Sequence, residues 1–435
     1  MFLRPDQPHT PAAGRSQSGR LVLVAPLRSY RVAPFLQAAR ELGVEVYLVT
    51  RGEQSVVAEG IHGVHVDLDQ PAEAFQRILF ALGDTPVGAV LASDDAGIEL
   101  AAKLSAHYGL PHNPTESALL SRRKDLARAR LLEAGLPVPQ HRRIHLDRPL
   151  AAQLDEIVYP AVAKPLSLSG SRGVIRADDH DGLLSAIERI RPLIVDLAEP
   201  VEARQVLVES YIPGVEVALE GMLDNGRLQV LALFDKPDPL EGPYFEETYY
   251  ILPSRHPRAM QERIAERVQQ ACAAYGLCMG PVHAELRWFE GDAWILEVAS
   301  RTIGGQCGRL LRFGTGTSLE NLVLSQALRL PVPAEASPDA AGVLMIPIPR
   351  AGILRRVEGM MAALRVPYIE DIEISVREGY ALVPLPEGNS YLGFIFARAP
   401  TSAEAEAALR RAHACLRIVT VPLLGAGSMA TTCAG

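Results

Sequence analysis

The chain has 435 residues, more than one ordinary hydrophobic core organises, so two or three domains are expected. With 48% hydrophobic and 22% charged residues the composition is that of a globular protein, and no apolar run approaches the roughly 18 residues that would span a bilayer. A net charge of −8 argues against general attraction to nucleic acid, while leaving room for a local basic pocket that holds a small anion.

Five scattered cysteines (Cys272, Cys278, Cys307, Cys415 and Cys433), without metal-like spacing, are expected to be reduced thiols of a cytoplasmic protein. Residues 1–20, rich in Pro, Gln and Ser with no apolar core, read as a mobile leader, and 421–435 as a loose tail.

From Leu21, "LVLVAP", a helical stretch and "VEVYLV" follow βαβ grammar, and "GAVLASDDAGIELAAKLSAHYGLP" repeats strand, acidic loop and helix. Residues 21–111 therefore predict an open parallel α/β sheet. Its first turn, "APLRSYRVAP", lacks the GxGxxG of a dinucleotide site. "NPTESALLSRRKDLARARLLEAGLPVP" predicts one long basic helix, capped by Asn113 with Pro114 and Glu116 and stopped at Gly135. Short strands between Gly and Pro turns from 156 to 247 predict an antiparallel sheet, with helix near 181–193. "PRAMQERIAERVQQACAAYGLC" is helical, and Thr317 with Glu320 suggests a second capping box. A proline linker begins at Pro331, and residues 341–420 read as a small α+β unit of their own.

The richest stretch is "HAELRWFEGDAWILEVASR", residues 283–301. Glu285 and Glu297 lie equally far from Gly291, so a hairpin folded there sets two carboxylates opposite each other, an unfavourable pairing unless a cation sits between them. By parity His283 and Ala299 share their face, and Arg301 lies just past the second strand. A solvated hairpin is the competing reading, which Trp294, Ile295 and Val298 disfavour.

In "YPAVAKPLSLSGSRGVIRADD", a strand ending at Lys164 leads into Ser169, Gly170, Ser171 and Gly173, whose backbone N–H groups suit phosphate oxygens, though a flexible turn fits too. "VLVESYIPGVEVALEGM" offers extended backbone at Ser210, Tyr211 and Ile212 to an adenine edge and Glu216 to ribose hydroxyls, against ordinary hairpin acids. Lys124 reads alone as part of a solvated basic face, and Cys307 in "RTIGGQCGRLL" as a packed small residue rather than a nucleophile.

The order of these pieces resembles the ATP-grasp superfamily of carboxylate–amine ligases over residues 21–420, with a C-terminal cap similar to that of biotin-carboxylase relatives. Ala299, where many members carry a metal-binding Asn, together with "FDKPDPLEGPYFEETYYILPS", is similar to the L-amino-acid ligase (dipeptide synthase) branch. The resemblance implies an ATP-grasp fold: an N-terminal α/β domain, an ATP-grasp domain at 112–331 with a lid at about 156–213, and an α+β domain at 332–420.

It further implies ATP contacts from Lys124, Lys164, the 169–173 flap, Glu209, Ser210, Tyr211, Ile212, Glu216 and Lys236. Glu285 and Glu297 would hold one or two Mg²⁺ ions, with Mn²⁺ as a substitute, and Arg301 and His283 would be catalytic. Glu247, Gly304, Gly305 and Arg309 would meet the substrates, a small carboxylate and an amine, in an assembly compatible with a homodimer. The implied reaction is amide formation through an acyl phosphate. A carboxyphosphate or formyl-phosphate enzyme and a non-catalytic nucleotide sensor are the alternatives.

Overall fold

Strand β1 (Arg20–Ala25) pairs in parallel with β2 (Val46–Thr50) and β4 (Val87–Ala92), and β3 (His62–His65) extends the edge in the order β3-β2-β1-β4. The run from Leu21 to Ala25 is wholly apolar because both of its faces are covered. Leu21 and Leu23 pack with Phe35 and Ala38 on one side, while Val22 and Val24 pack with Ile78 and Leu104 on the other. This is the open parallel α/β sheet expected from the sequence. The computed structural model describes residues 19–27, 29–51, 62–331 and 339–422, so most of the expected leader, linker and tail lies outside the described residues, as does Cys433.

The basic helix is two helices, Thr115–Arg122 and Lys124–Glu133, because Arg123 is extended at ψ 102°. A tertiary hydrogen bond forces the break: the Lys124 N–H donates to the Leu166 carbonyl at 2.9 Å, outside either helix. Asn113 caps neither, since its side chain accepts from the N–H groups of Cys278 and Met279 and donates to the Met279 carbonyl. Likewise Ser318, and not Thr317, caps the helix Leu319–Leu328 by accepting from Asn321 N–H.

Strands β5 (His141–His145), β6 (Ala161–Pro165), β7 (Ile175–Ala177) and β8 (Gln205–Ser210) form a separate antiparallel sheet in the order β5-β8-β6-β7. The helix His180–Ile194 covers it with Leu183, Ala186, Ile187, Ile190 and Ile194.

The central sheet begins with β9 (Val215–Asp224), β10 (Arg227–Asp235), β11 (Tyr249–Leu252), β12 (Gly280–Phe289) and β13 (Asp292–Ala299). The C-terminal segment contributes β14 (Ala340–Ile346), β15 (Gly352–Glu358), β16 (Ile369–Ile374), β17 (Ala381–Leu382), β18 (Gly393–Ala399) and β19 (Arg417–Val421). Three of these six do not stand apart: β14, β18 and β16 continue the central sheet, in the order β13-β12-β9-β10-β11-β14-β18-β16. Only β17, β15 and β19 make a small sheet of their own.

On β12 the side chains alternate as a strand requires. Val282, Ala284 and Leu286 pack under the helix Arg258–Tyr275, which turns His283, Glu285 and Arg287 to the opposite face. Among the described residues, no helix is long and apolar enough to cross a membrane.

Candidate active site

The β12–β13 hairpin turns at Glu290 and Gly291, whose φ angles of 50° and 77° are both positive, as a two-residue hairpin turn that continues the strand twist requires. The turn is therefore centred half a residue before Gly291, pairing Phe289 with Asp292 and Leu286 with Ile295. A β-bulge at Leu296 restores the register, so that Glu285 does face Glu297 and His283 faces Ala299. The bulge is held from outside, because buried Arg128 donates to the Leu296 carbonyl at 2.7 Å. Strand β9 extends this polar face, setting Glu220 beside His283 and Glu216 beside Arg287.

This face forms one wall of a cavity of about 1140 Å³ that the β5-β8-β6-β7 sheet, the expected lid, lines from the other side. Glu285 and Glu297, with side chains 22% and 27% exposed, open into it. The Lys124 ammonium lies 3.4 Å from Glu297 and donates to the flap carbonyl of Leu168 at 2.9 Å, tying the lid loop to the hairpin. Burial opposes ionisation of Glu297, but Lys124, Arg301 and His283 outweigh it and keep the carboxyl below its usual range. Arg301 lines the same wall, its Nε 2.9 Å from both carboxylate oxygens of Asp95.

The acids beside it are differently engaged. Lys236 sits among Glu216 at 2.8 Å, Glu247 at 2.7 Å and Glu285 at 3.4 Å, and these three carboxylates hold its ammonium charged despite full burial. The Glu216–Glu247–Glu285 cluster is close enough to hold a cation, and the lysine already supplies one. Glu247 is pushed up to about 7, by burial first and by Glu285 next. Glu216 accepts from Arg287 as well, at 2.9 Å, so its carboxylate is already paired twice where a ribose contact was expected. Glu220, wholly buried, accepts the Ile303 N–H at 3.2 Å, and burial raises its pKa. His283 Nδ1 and Nε2 lie 3.4 Å from Glu220 and Glu285 respectively.

At the end of the cavity where ATP was expected, Glu209 pairs with Lys164 at 2.6 Å and Arg128 at 2.7 Å. Burial opposes its ionisation, but the two cations lower its pKa to about 2. Of the expected adenine edge, the N–H groups of Ser210 and Tyr211 are spent on Gln140 and Pro160, and Arg287 takes the Ile212 carbonyl. Among the described residues the Ile212 N–H has no acceptor, so one donor of that segment is left for a ligand.

Ser169, Gly170 and Ser171 line the cavity, as do Gly304 and Gly305. Gly173 does not; its N–H donates to the Pro386 carbonyl at 2.9 Å, and at φ 72° a Cβ there would meet Pro165 Cγ at 2.8 Å. Arg309 also lies outside the cavity lining. It pairs with Asp371 at 3.0 Å and stacks on Phe396, because its helix turns it to the C-terminal strands. Cys307 is buried, and burial holds its thiol protonated.

Sequence reasoning missed Asp95, Glu220, Arg287 and Arg128. Parity would have found two of them, since Arg287 continues the 283, 285 row and Glu220 continues Glu216 along β9.

The ATP-grasp domain family matches residues 157–309, the span from the expected lid to the residues after the paired glutamates. Residues 344–421 match the L-amino acid ligase C-terminal domain 2. The chain is 27% identical over 329 residues to the uncharacterized protein y4rH of Sinorhizobium fredii, a match covering 73% of this chain and 67% of that one. It is 26% identical over 263 residues to alanine–anticapsin ligase of Bacillus subtilis, covering 57% of this chain and only 55% of that protein. The crystal structure of L-amino acid ligase from Bacillus licheniformis shares the fold, with a TM-score of 0.78, 24% identity and coverage of 93% of this chain and 99% of that one.

Proposed function

We propose that the protein is an ATP-dependent carboxylate–amine ligase that joins an L-amino acid, or another small carboxylate, to the amine of a second amino acid. The observation that carries the reading is the convergence of Glu285, Glu297, Lys124 and Arg301 on one cavity wall, beneath a lid whose loop Lys124 also holds. The similarity to alanine–anticapsin ligase supports the amino-acid substrate class.

In the expected reaction a substrate carboxylate oxygen attacks the γ-phosphorus of ATP, the bond to the β-phosphate oxygen breaks, and ADP leaves an acyl phosphate. An amine then attacks the acyl carbon, loses a proton, and phosphate departs as the amide forms. Arg301 and Lys124 neutralise the transferring phosphoryl oxygens, and the flap backbone at 169–171 cradles the phosphates. His283, at the edge of the site, orients the carboxylate. The all-oxygen donor pair Glu285 and Glu297 suits a hard cation, Mg²⁺ or Mn²⁺, which would supply charge neutralisation for the ATP phosphates. Ala299 on the same face supplies no further oxygen ligand. Small-molecule substrates, with neither nucleic acid nor membrane as a partner, and a cytoplasmic setting with reduced thiols fit the net charge of −8 and the four described free cysteines. A homodimer is compatible with this reading.

Purified protein given Mg²⁺, ATP and pairs of amino acids should release ADP and phosphate with a new amide detected by mass spectrometry. Glu297→Gln should cost roughly a hundredfold or more in turnover. Absence of turnover with every amine would remove the ligase reading, and an unimpaired Glu297→Gln enzyme would remove the metal assignment.

A further inference from the structure

The loop that follows β13 is held by the N-terminal domain. Tyr30, in the turn after β1, accepts the Gly305 N–H at 3.0 Å, and Asp95, in the acidic loop after β4, receives the Arg301 Nε at 2.9 Å on each oxygen. From the opposite side, Glu220 of β9 accepts the Ile303 N–H at 3.2 Å. These two N-terminal turns, "LRSYR" and "SDDAG", carry no part of the proposed chemistry, and yet both reach the catalytic wall.

The Asp95 contact decides where the guanidinium points. Arg301 is 7% exposed; its Nε goes to Asp95 and its Nη1 to the Thr302 carbonyl at 3.1 Å, while Nη2 has no acceptor among the described residues. Asp95 thus takes the donor nearest the stem and leaves the far edge of the planar fork for the cavity and Glu297. The acid is itself placed by packing, because it opens the short turn Asp95–Gly97, and a Cβ on Gly97 would meet Val24 Cγ1 of β1 at 2.9 Å. Its neighbour Asp94 accepts from Ser29, Ser93 and Arg31, and among the described residues Asp95 has no such local partners.

We propose that Asp95 is a positioning residue, through which the N-terminal domain aims the Arg301 guanidinium at the phosphoryl group that the reaction transfers. The inference rests on the ligase reading for its kinetic consequence, and on geometry alone for the pairing. A misaimed charge should slow the chemical step without weakening nucleotide binding, because Asp95 touches none of the residues assigned to the adenine or ribose.

The test is Asp95→Asn, with Asp95→Glu as the conservative variant, in wild-type and Arg301→Gln backgrounds. Asp95→Asn should lower kcat by roughly tenfold to a hundredfold, the cost of misplacing a reacting group by about 1 Å, with KM for ATP within about twofold. Asp95→Glu should recover part of the rate, and Asp95→Asn should cost nothing further once Arg301 is Gln. A kcat within about twofold of wild type, or full additivity with Arg301→Gln, or a joint loss of melting temperature, kcat and nucleotide affinity, would overturn the proposal.

Should the wild-type protein form no amide and turn over no ATP, the ligase reading fails, and the pairing is then read by NMR. A slowly exchanging Arg Nε–H resonance, assigned by its loss in Arg301→Lys, should vanish or shift in Asp95→Asn. An unchanged resonance would overturn the pairing independently of any activity.

Discussion

Arg128 ties Glu209 of strand β8 to the hairpin bulge from outside the cavity lining. Its guanidinium, 1% exposed, pairs with Glu209 at 2.7 Å and holds the Leu296 carbonyl that fixes the hairpin bulge. Arg128→Ala would leave Glu209 with Lys164 alone and the bulge carbonyl unpaired, for an expected loss of about 3–5 kcal/mol in urea unfolding. The pH dependence follows from the same group. Glu209 has a folded pKa of about 2 against an ordinary 4.5, so its contribution is complete above pH 4.5 and is lost as pH falls toward 2. Removing Arg128 raises the folded pKa toward the ordinary value, and the acid-unfolding midpoint by circular dichroism should move to higher pH. An unchanged midpoint would mean that Lys164 alone sets the Glu209 charge.

The lid sheet shows what a sequence pattern records and what it does not. Its antiparallel strands, the glycine-rich flap and the break at "YIPG" were legible because turn chemistry and alternation are local. The facing of Glu285 and Glu297 was legible for the same reason, although the symmetric turn assumed for it is replaced by a two-residue turn and a bulge. The break at Arg123 was not legible: helix propensity favours continuation there, and the Leu166 carbonyl that interrupts it arrives from the lid. Nor was the partner of the flap.

The loop before β18 grips that flap. The Pro386 carbonyl accepts the Gly173 N–H, the Glu387 carbonyl accepts Arg172 Nε at 3.1 Å, and the Glu387 carboxylate pairs bidentately with Arg189 of the lid helix. Both partners of the last pair are more than a third exposed, so Glu387→Ala should change stability by less than about 1 kcal/mol. Its expected effect lies in lid opening: faster hydrogen exchange across 166–176 and a raised KM for ATP. Exchange rates equal to wild type would show that the backbone contacts alone close the lid.

Across the whole molecule, the central strands and the C-terminal segment share a sheet and therefore a fate. The sequence showed the strands at 340–399 but not their registration, which depends on pairing partners some ninety residues away: Tyr250 opposite Val343 and Ile251 opposite Gly342. Strand β11 is the seam. Tyr249, Tyr250, Ile251 and Leu252 are all buried, with Tyr249 and Ile251 packed against Leu409 and Ala405 of the C-terminal helix Ser402–Cys415 and Tyr250 against Val343 of β14. A chain ending at Pro331 would bare this strand as an unpaired apolar edge, the kind that promotes aggregation. At about 1.5–3 kcal/mol for each large apolar side chain exposed, even half of the loss across these four residues is several kcal/mol, comparable with a whole domain's stability of about 5–15 kcal/mol. The truncated protein should accordingly be insoluble or unfolded by circular dichroism, and should lose nucleotide binding although every residue assigned to ATP and to the metal is retained. A soluble truncated chain with a cooperative melt near the wild-type temperature would show that the central sheet closes without its C-terminal strands.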